Sequence, residues 1–257
     1  MNRVAGVTAV VVAARGGARL ARALGSVAWA DERVVLDPAA RLPAARLAPP
    51  SWPAAGLRLE GAGGGTDLAA VVSTPWLLLL HERESAAPGL AAAVAAVAQA
   101  PGARGSYRVP QEVEGFGVRF RPPGAPVRLA RRDGARLRVT VHGGLAIAAP
   151  EPRPGRLAAG VIAHAAPSVT DTVDEMEADG SVVAALLALA AVRPGIGRSL
   201  LAATTAGARI ACARRVASGP ERWREARWCL TTLTGYGALL AHAQLWERSE
   251  CEGSPAP

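Results

Sequence analysis

Four consecutive polar residues, His81, Glu82, Arg83 and Glu84, follow the apolar run Trp76-Leu77-Leu78-Leu79-Leu80. A short apolar run bounded by turn residues suits a strand covered on both faces. The four polar side chains therefore sit where such a strand ends. Three readings of them are open. Arg83 can grip a phosphate bidentately and neutralise it without a metal. His81 and Glu84 can serve as a depleted metal site, although Mg²⁺ and Mn²⁺ prefer hard oxygen ligands that an imidazole and an arginine do not supply. In the third reading Arg83 and Glu82 only solvate a loop. Asp37 closes a second short apolar run at 33–37, where an acid is either a ligand contact or an ordinary turn residue. His142 and His164 are candidate bases and, equally, candidate structural histidines.

The elements that must position these residues alternate as in an α/β domain. Strands are predicted over 7–14, 33–37, 57–60 and 76–80. A helix follows the first strand, with Leu20, Leu24 and Val27 on its apolar face at spacings of four and three. Asp67 to Val72 should make a helical turn, and a helix should run from Pro88, tolerated in a first turn, through Gln99. Residues 107–110, 117–120, 127–130 and 136–141 read as later strands. Beyond about Thr170 the pattern turns helical, over 173–191, 196–213 and 223–246, and residues 249–257 read as a frayed tail. The stretch 57–67 has the order strand, glycine-rich loop, helix start, but its glycines miss the GxGxxG register and no lysine is present for a Walker loop. A flexible connection is the simpler reading.

Several of these segments, in order, resemble family 2 glycosyltransferases of the lipopolysaccharide-core (beta-glucosyl/heptosyl-region) type. The signature is the run Ser26, Val27, Trp29, Ala30, Asp31 and Glu32, followed by Asp37. The strand SYRVP at 106–110, the segment VRLARR at 127–132, the pair Val141-His142, the later His164 and the close Leu245, Trp246, Glu247 continue it. The resemblance implies an α/β, GT-A-like, mostly parallel sheet over 1–168 with a C-terminal helical extension over 169–248. It implies a nucleotide-sugar donor and a saccharide or lipid-linked acceptor, with donor binding on Asp37, Arg83 and Glu84 and His142 as a weak catalytic candidate. The family's metal-binding Asp-x-Asp-Glu reads His81-Glu82-Arg83-Glu84 here, and the glutamate of its valine-histidine-glutamate motif is Gly143. A Mg²⁺ or Mn²⁺ cofactor would thus have an eroded site, leaving His81 and Glu84 as its remaining ligands. The resemblance therefore implies either an active transferase with a reduced metal requirement or a lapsed relative that binds or scaffolds.

Composition narrows the partners. The chain has 257 residues and a net charge of +8, and all 29 of its basic side chains are arginine. Such a balance suits an anionic partner, but neither interleaved aromatics nor a nucleic-acid motif is present. The three cysteines, Cys212, Cys229 and Cys251, lack CxxC spacing and fit a reducing, cytoplasmic setting. Residues 228–246 contain no Asp, Glu or Arg and carry Trp228, Tyr236 and Trp246, with Arg222, Arg224 and Arg227 just before them. That pattern suits a helix lying peripherally on an anionic membrane at its inner face as well as one packed on a protein core.

Overall fold

The computed structural model describes residues 4–39, 57–60, 67–140, 144–148, 152–166, 168–217 and 220–253. The chain divides into two units, the first taking residues 1–113, 124–138 and 145–164, the second 114–123, 139–144 and 165–257. The first unit begins with β1 (Val4–Val12), α1 (Ala18–Ser26), β2 (Ala30–Leu36) and β3 (Leu57–Glu60). A single 3-10 turn, Leu68–Ala70, then precedes β4 (Trp76–His81) and β5 (Glu84–Ala86). Next come α2 (Leu90–Gln99), β6 (Ser106–Arg108), β7 (Gln111–Gly115), β8 (Val118–Arg121), β9 (Val127–Arg131), β10 (Arg136–Val139), β11 (Leu145–Ala148), β12 (Gly155–Arg156) and β13 (Val161–His164). The second unit is mainly α3 (Val169–Leu189), α4 (Ile196–Ala211), β14 (Arg214–Ala217) and α5 (Pro220–Gly253).

Seven strands of the first unit form one sheet in the order β12-β6-β9-β4-β1-β2-β3. β1 pairs parallel with β2 and β4, β2 with β3, and β12 with β6, while β9 runs antiparallel to both β4 and β6. The fold is mixed α/β, with its parallel character concentrated in the first four strands. Val10, Val11 and Val12 of β1 and Leu77 to Leu80 of β4 are fully buried, as the continuous apolar runs of central parallel strands require. Leu20, Leu24 and Val27 are buried against the sheet as their spacing predicts.

The polar residues of the SVxWADE run turn out to be fasteners. Ser26 Oγ accepts the Ala86 amide at 3.0 Å, and the buried Trp29 donates its indole N–H to the Ser26 carbonyl. Asp31 accepts the amide of Gly6 on β1. Glu32 accepts the Thr8 hydroxyl at 2.7 Å and both the amide and hydroxyl of Ser73. Between them they tie α1, β1, β2 and the approach to β4 together.

In the second unit, helices approach closely through small residues. Ala202, Ala206 and Ala238 form a buried cluster between α4 and α5. A Cβ on Gly207 would come within 3.3 Å of the Thr231 carbonyl, and one on Gly235 within 3.3 Å of the Ala203 carbonyl. These two contacts also run α4 antiparallel to α5. Gly180 and Gly237 make room in the same way for Gln244 and Met176 between α3 and α5.

Several expected boundaries move. α3 starts four residues earlier than the pattern suggests, because Ser168 caps it by accepting the Asp171 amide and Ser, Thr and Asp lead as N-caps. Arg214 and Arg215, expected beside a helix end, lie on β14, which pairs antiparallel with β8. α5 is helical to Gly253, so the first residues of the expected frayed tail continue the helix. No Pro or Gly interrupts 238–252, and nothing there stops helix propagation.

Candidate functional site

β1, β2 and β4 end side by side. Val12 stands in register with Leu36 on one flank and with His81 on the other, so Asp37 and the 81–85 segment leave the same carboxyl edge of the sheet. Open α/β sheets bind ligands outside this edge. Asp37 is almost fully buried there.

After His81 the chain turns through Glu82 and Arg83 into β5, which belongs to a second sheet, and burial alternates residue by residue across that turn. Glu82 and Glu84 are buried, at 1% and 3% exposure, whereas His81, Arg83 and Ser85 are half-exposed. The two inward glutamates have different tasks. The Glu82 carboxylate accepts three successive backbone N–H groups, of Ala14, Arg15 and Gly16, at 2.8–2.9 Å. Gly16 and Gly17 both have positive φ, a conformation glycine reaches without steric cost. The loop after β1 thus forms a concave nest of donors of the kind that binds anions, and the tenant is an internal carboxylate.

Glu84 is neutralised within the sheet. It pairs with the equally buried Arg128 of β9. It also accepts the His81 amide at 2.8 Å and the Gln111 side-chain amide at 2.7 Å. A buried carboxylate needs such partners, since desolvation costs several kcal/mol per ion.

This geometry corrects two expectations. Glu82 does not solvate a loop; it is buried and structural. Glu84 does not face a donor, because Arg128, Gln111 and the His81 amide occupy its oxygens. The same fact decides the metal question. His81 Nδ1 accepts the Arg83 amide at 3.3 Å, and Glu84 is committed to a guanidinium. Among the described residues no cluster of three or more His, Cys, Asp or Glu residues could hold a metal ion. The residues present do not fit a Mg²⁺ or Mn²⁺ ion.

The outward side of the segment carries the chemistry that is left. Arg83 lies between His81 and Ser85, and its carbonyl accepts the His164 amide at 2.8 Å. His164, on β13, is paired with β5 and shares a 2.8 Å hydrogen bond between its Nε2 and Ser85 Oγ. Ser85 and His164 therefore form a half-exposed hydroxyl–imidazole pair, with His81 and Arg83 half-exposed in the turn that precedes it. Sequence reasoning overlooked Ser85, Gln111 and Arg128. A period of two continued past Leu80 would have separated 82 and 84 from 81, 83 and 85. His142 and the glycine-rich loop at 61–66 lie outside the described residues. Asp67, at that loop's end, caps the 3-10 turn by accepting the Ala69 amide.

No protein-family model matches the chain, and no curated protein does. Among solved structures, residues 1–349 of S. aureus TarS align at 12% identity and a TM-score of 0.40, covering 97% of this chain and 93% of that one. The same protein in complex with UDP-GlcNAc aligns at 11% identity and a TM-score of 0.40, covering all of this chain and 93% of that one. Similarity at this level supports no argument about the site.

Proposed function

We propose that the first unit is a GT-A-like domain that binds a nucleotide sugar at its carboxyl edge and passes the sugar to a saccharide or lipid-linked acceptor. The carrying observation is that Asp37 and Arg83 leave the same sheet edge on either side of β1. In this reading Asp37 addresses the nucleoside and Arg83 meets the diphosphate. Departure of the diphosphate builds negative charge, which a preorganised cation stabilises. A guanidinium supplies that charge permanently, so donor binding needs no recruited ion. The motif residues that resemble those of family 2 transferases of the lipopolysaccharide-core type support the same reading. In this reading the protein works in the cytoplasm, peripherally at the inner face of the cell membrane.

A second reading, a binding or scaffold subunit that has lost turnover, is favoured by the fate of the carboxylates. Both glutamates near the sheet edge are consumed internally, and neither is placed to take an acceptor proton. The two readings share donor binding and differ in turnover. Calorimetry with uridine diphosphate, run with Mn²⁺ and then with EDTA, tests the shared part. Binding of equal strength in both conditions supports the site, and binding seen only with Mn²⁺ refutes the arginine assignment. A donor-hydrolysis assay then separates enzyme from scaffold.

A further inference from the structure

Unlike the first unit, the helical unit turns large aliphatic side chains toward solvent, and it does so most strongly at one corner. Ile196, at the first position of α4, is 82% exposed, and Leu200 and Leu201 one turn later are 54% and 55% exposed. Leu189, the last residue of α3, is 42% exposed. The opposite face of α4 is the one that packs, through Ala202 and Ala206 against Ala238. Because α4 runs antiparallel to α5, Leu200 and Leu201 stand near the part of α5 that carries the exposed Leu239.

Along the stretch from the end of α3 to the start of α5 the charge has one sign. Residues 180–220 contain no Asp or Glu but hold Arg193, Arg198, Arg209, Arg214 and Arg215. Two of these arginines bracket the exposed aliphatics. Arg198 sits between Ile196 and Leu200 in sequence and donates from its guanidinium to the Arg193 carbonyl at 2.9 Å, which fixes the corner between α3 and α4.

We propose that this corner is a membrane-contact tip. Ile196, Leu200 and Leu201 enter the boundary between headgroups and acyl chains of an anionic bilayer, and Arg193 and Arg198 meet the lipid phosphates. The proposal rests on the membrane part of the reading above and is independent of its donor chemistry. Shallow insertion is the mode that fits, since no helix among the described residues is long and apolar enough to cross a membrane. Exposed aliphatics beside arginine suit a lipid surface, which offers both an apolar layer and anionic groups. A nucleic acid would use the arginines and leave the aliphatics idle. A second copy packed symmetrically on this face would set its arginines against their own equivalents, a like-charge contact that opposes association.

The test is co-sedimentation of the full chain with vesicles of phosphatidylcholine and phosphatidylglycerol, and with phosphatidylcholine alone, at low salt. The wild type is expected to favour the mixed vesicles. Ile196→Asp should keep the fold, because the side chain is exposed and an acid in a helix's first turn is favourable; circular dichroism checks this. It should lower vesicle binding about tenfold or more through lost apolar burial. Arg198→Ala should lower it about fivefold. Trp228→Ala, at the far end of α5, should change it less than about threefold. Wild type that ignores mixed vesicles overturns the membrane reading altogether. Wild type that binds while Ile196→Asp and Arg198→Ala bind equally well overturns the tip alone. Arginine-dependent binding to duplex DNA or RNA in place of vesicles, or a wild-type dimer dissolved by Ile196→Asp, overturns it in favour of the other occupant.

Discussion

The two units build their interiors from opposite materials. The first fills its sheet with Val, Leu and Trp side chains and closes its carboxyl edge with buried charges, Glu82 on backbone donors and Glu84 on Arg128. The second also buries Phe120, Leu186, Leu230 and Leu245, but joins α4 to α5 over Ala and Gly and leaves Ile196, Leu200, Leu201, Trp228 and Trp246 outside. Bulk inside means that apolar burial and fully paired charges hold a unit together. Small residues at the α4–α5 seam mean that its stability depends on how closely the two backbones approach. A substitution should therefore act through charge in one unit and through volume in the other.

The sharpest way to break the contrast is to strip the first unit of one buried charge. Glu84→Ala leaves Arg128 buried without its counter-ion, and breaking such pairs costs about 3–5 kcal/mol. Denaturant unfolding should show that loss; a change under about 1 kcal/mol would mean that water or rearrangement rescues the arginine. In the second unit the matching change is steric. Gly207→Leu drives a side chain into the Thr231 carbonyl of α5, and overpacking of this kind costs about 1–3 kcal/mol. An unfolding midpoint that does not move would show that the helices can slide apart freely.

Arg83→Ala sharpens the comparison from the other side, because this residue belongs to the outward row and should leave stability nearly unchanged. It should weaken uridine diphosphate binding by about 1.5–3 kcal/mol, the worth of a hydrogen bond to a charged group, and barely affect the free nucleoside. Equal losses for both ligands would move the diphosphate away from Arg83.

The smallest effect concerns pH. His242 of α5 is buried, and desolvation, with a contribution from the nearby Arg198 charge, lowers its pKa below the ordinary 6.5. The folded state therefore resists protonation more than the unfolded one. Its neutral form adds stability that is complete above about pH 6.5 and is lost progressively as pH falls from there toward the lowered value. His242→Gln should flatten the slope of the unfolding free energy in that window. A slope that persists in the variant would place the titration elsewhere.

Much of the first unit was legible in advance because central parallel strands write themselves as unbroken apolar runs. The 76–80 run, the 33–37 run and the Leu20, Leu24, Val27 face all appear where expected. Short strands do not announce themselves: β5, β12 and β13 have two to four residues each and owe their form to their partners. The site was legible in place and illegible in direction. Residue types at 81–84 pointed to ion chemistry, but only the turn at 82–83 and its partners, backbone donors for Glu82 and Arg128 for Glu84, show that both glutamates are buried. Arg128 was hidden for the same reason. One arginine of the three in VRLARR gives no sign that its counter-ion lies 44 residues earlier.

The three N–H groups held by Glu82 have a further consequence for selectivity. A carboxylate fixed to the end of β4 cannot diffuse away, so at the loop after β1 it acts as a competitor at an effective concentration set by geometry, typically on the order of millimolar or above. A phosphate arriving from solution must outbid that tethered anion for every donor. The loop is thus closed to free inorganic anions at ordinary cellular levels. In the proposed reading, an anionic ligand of this edge is therefore left to the guanidinium of Arg83.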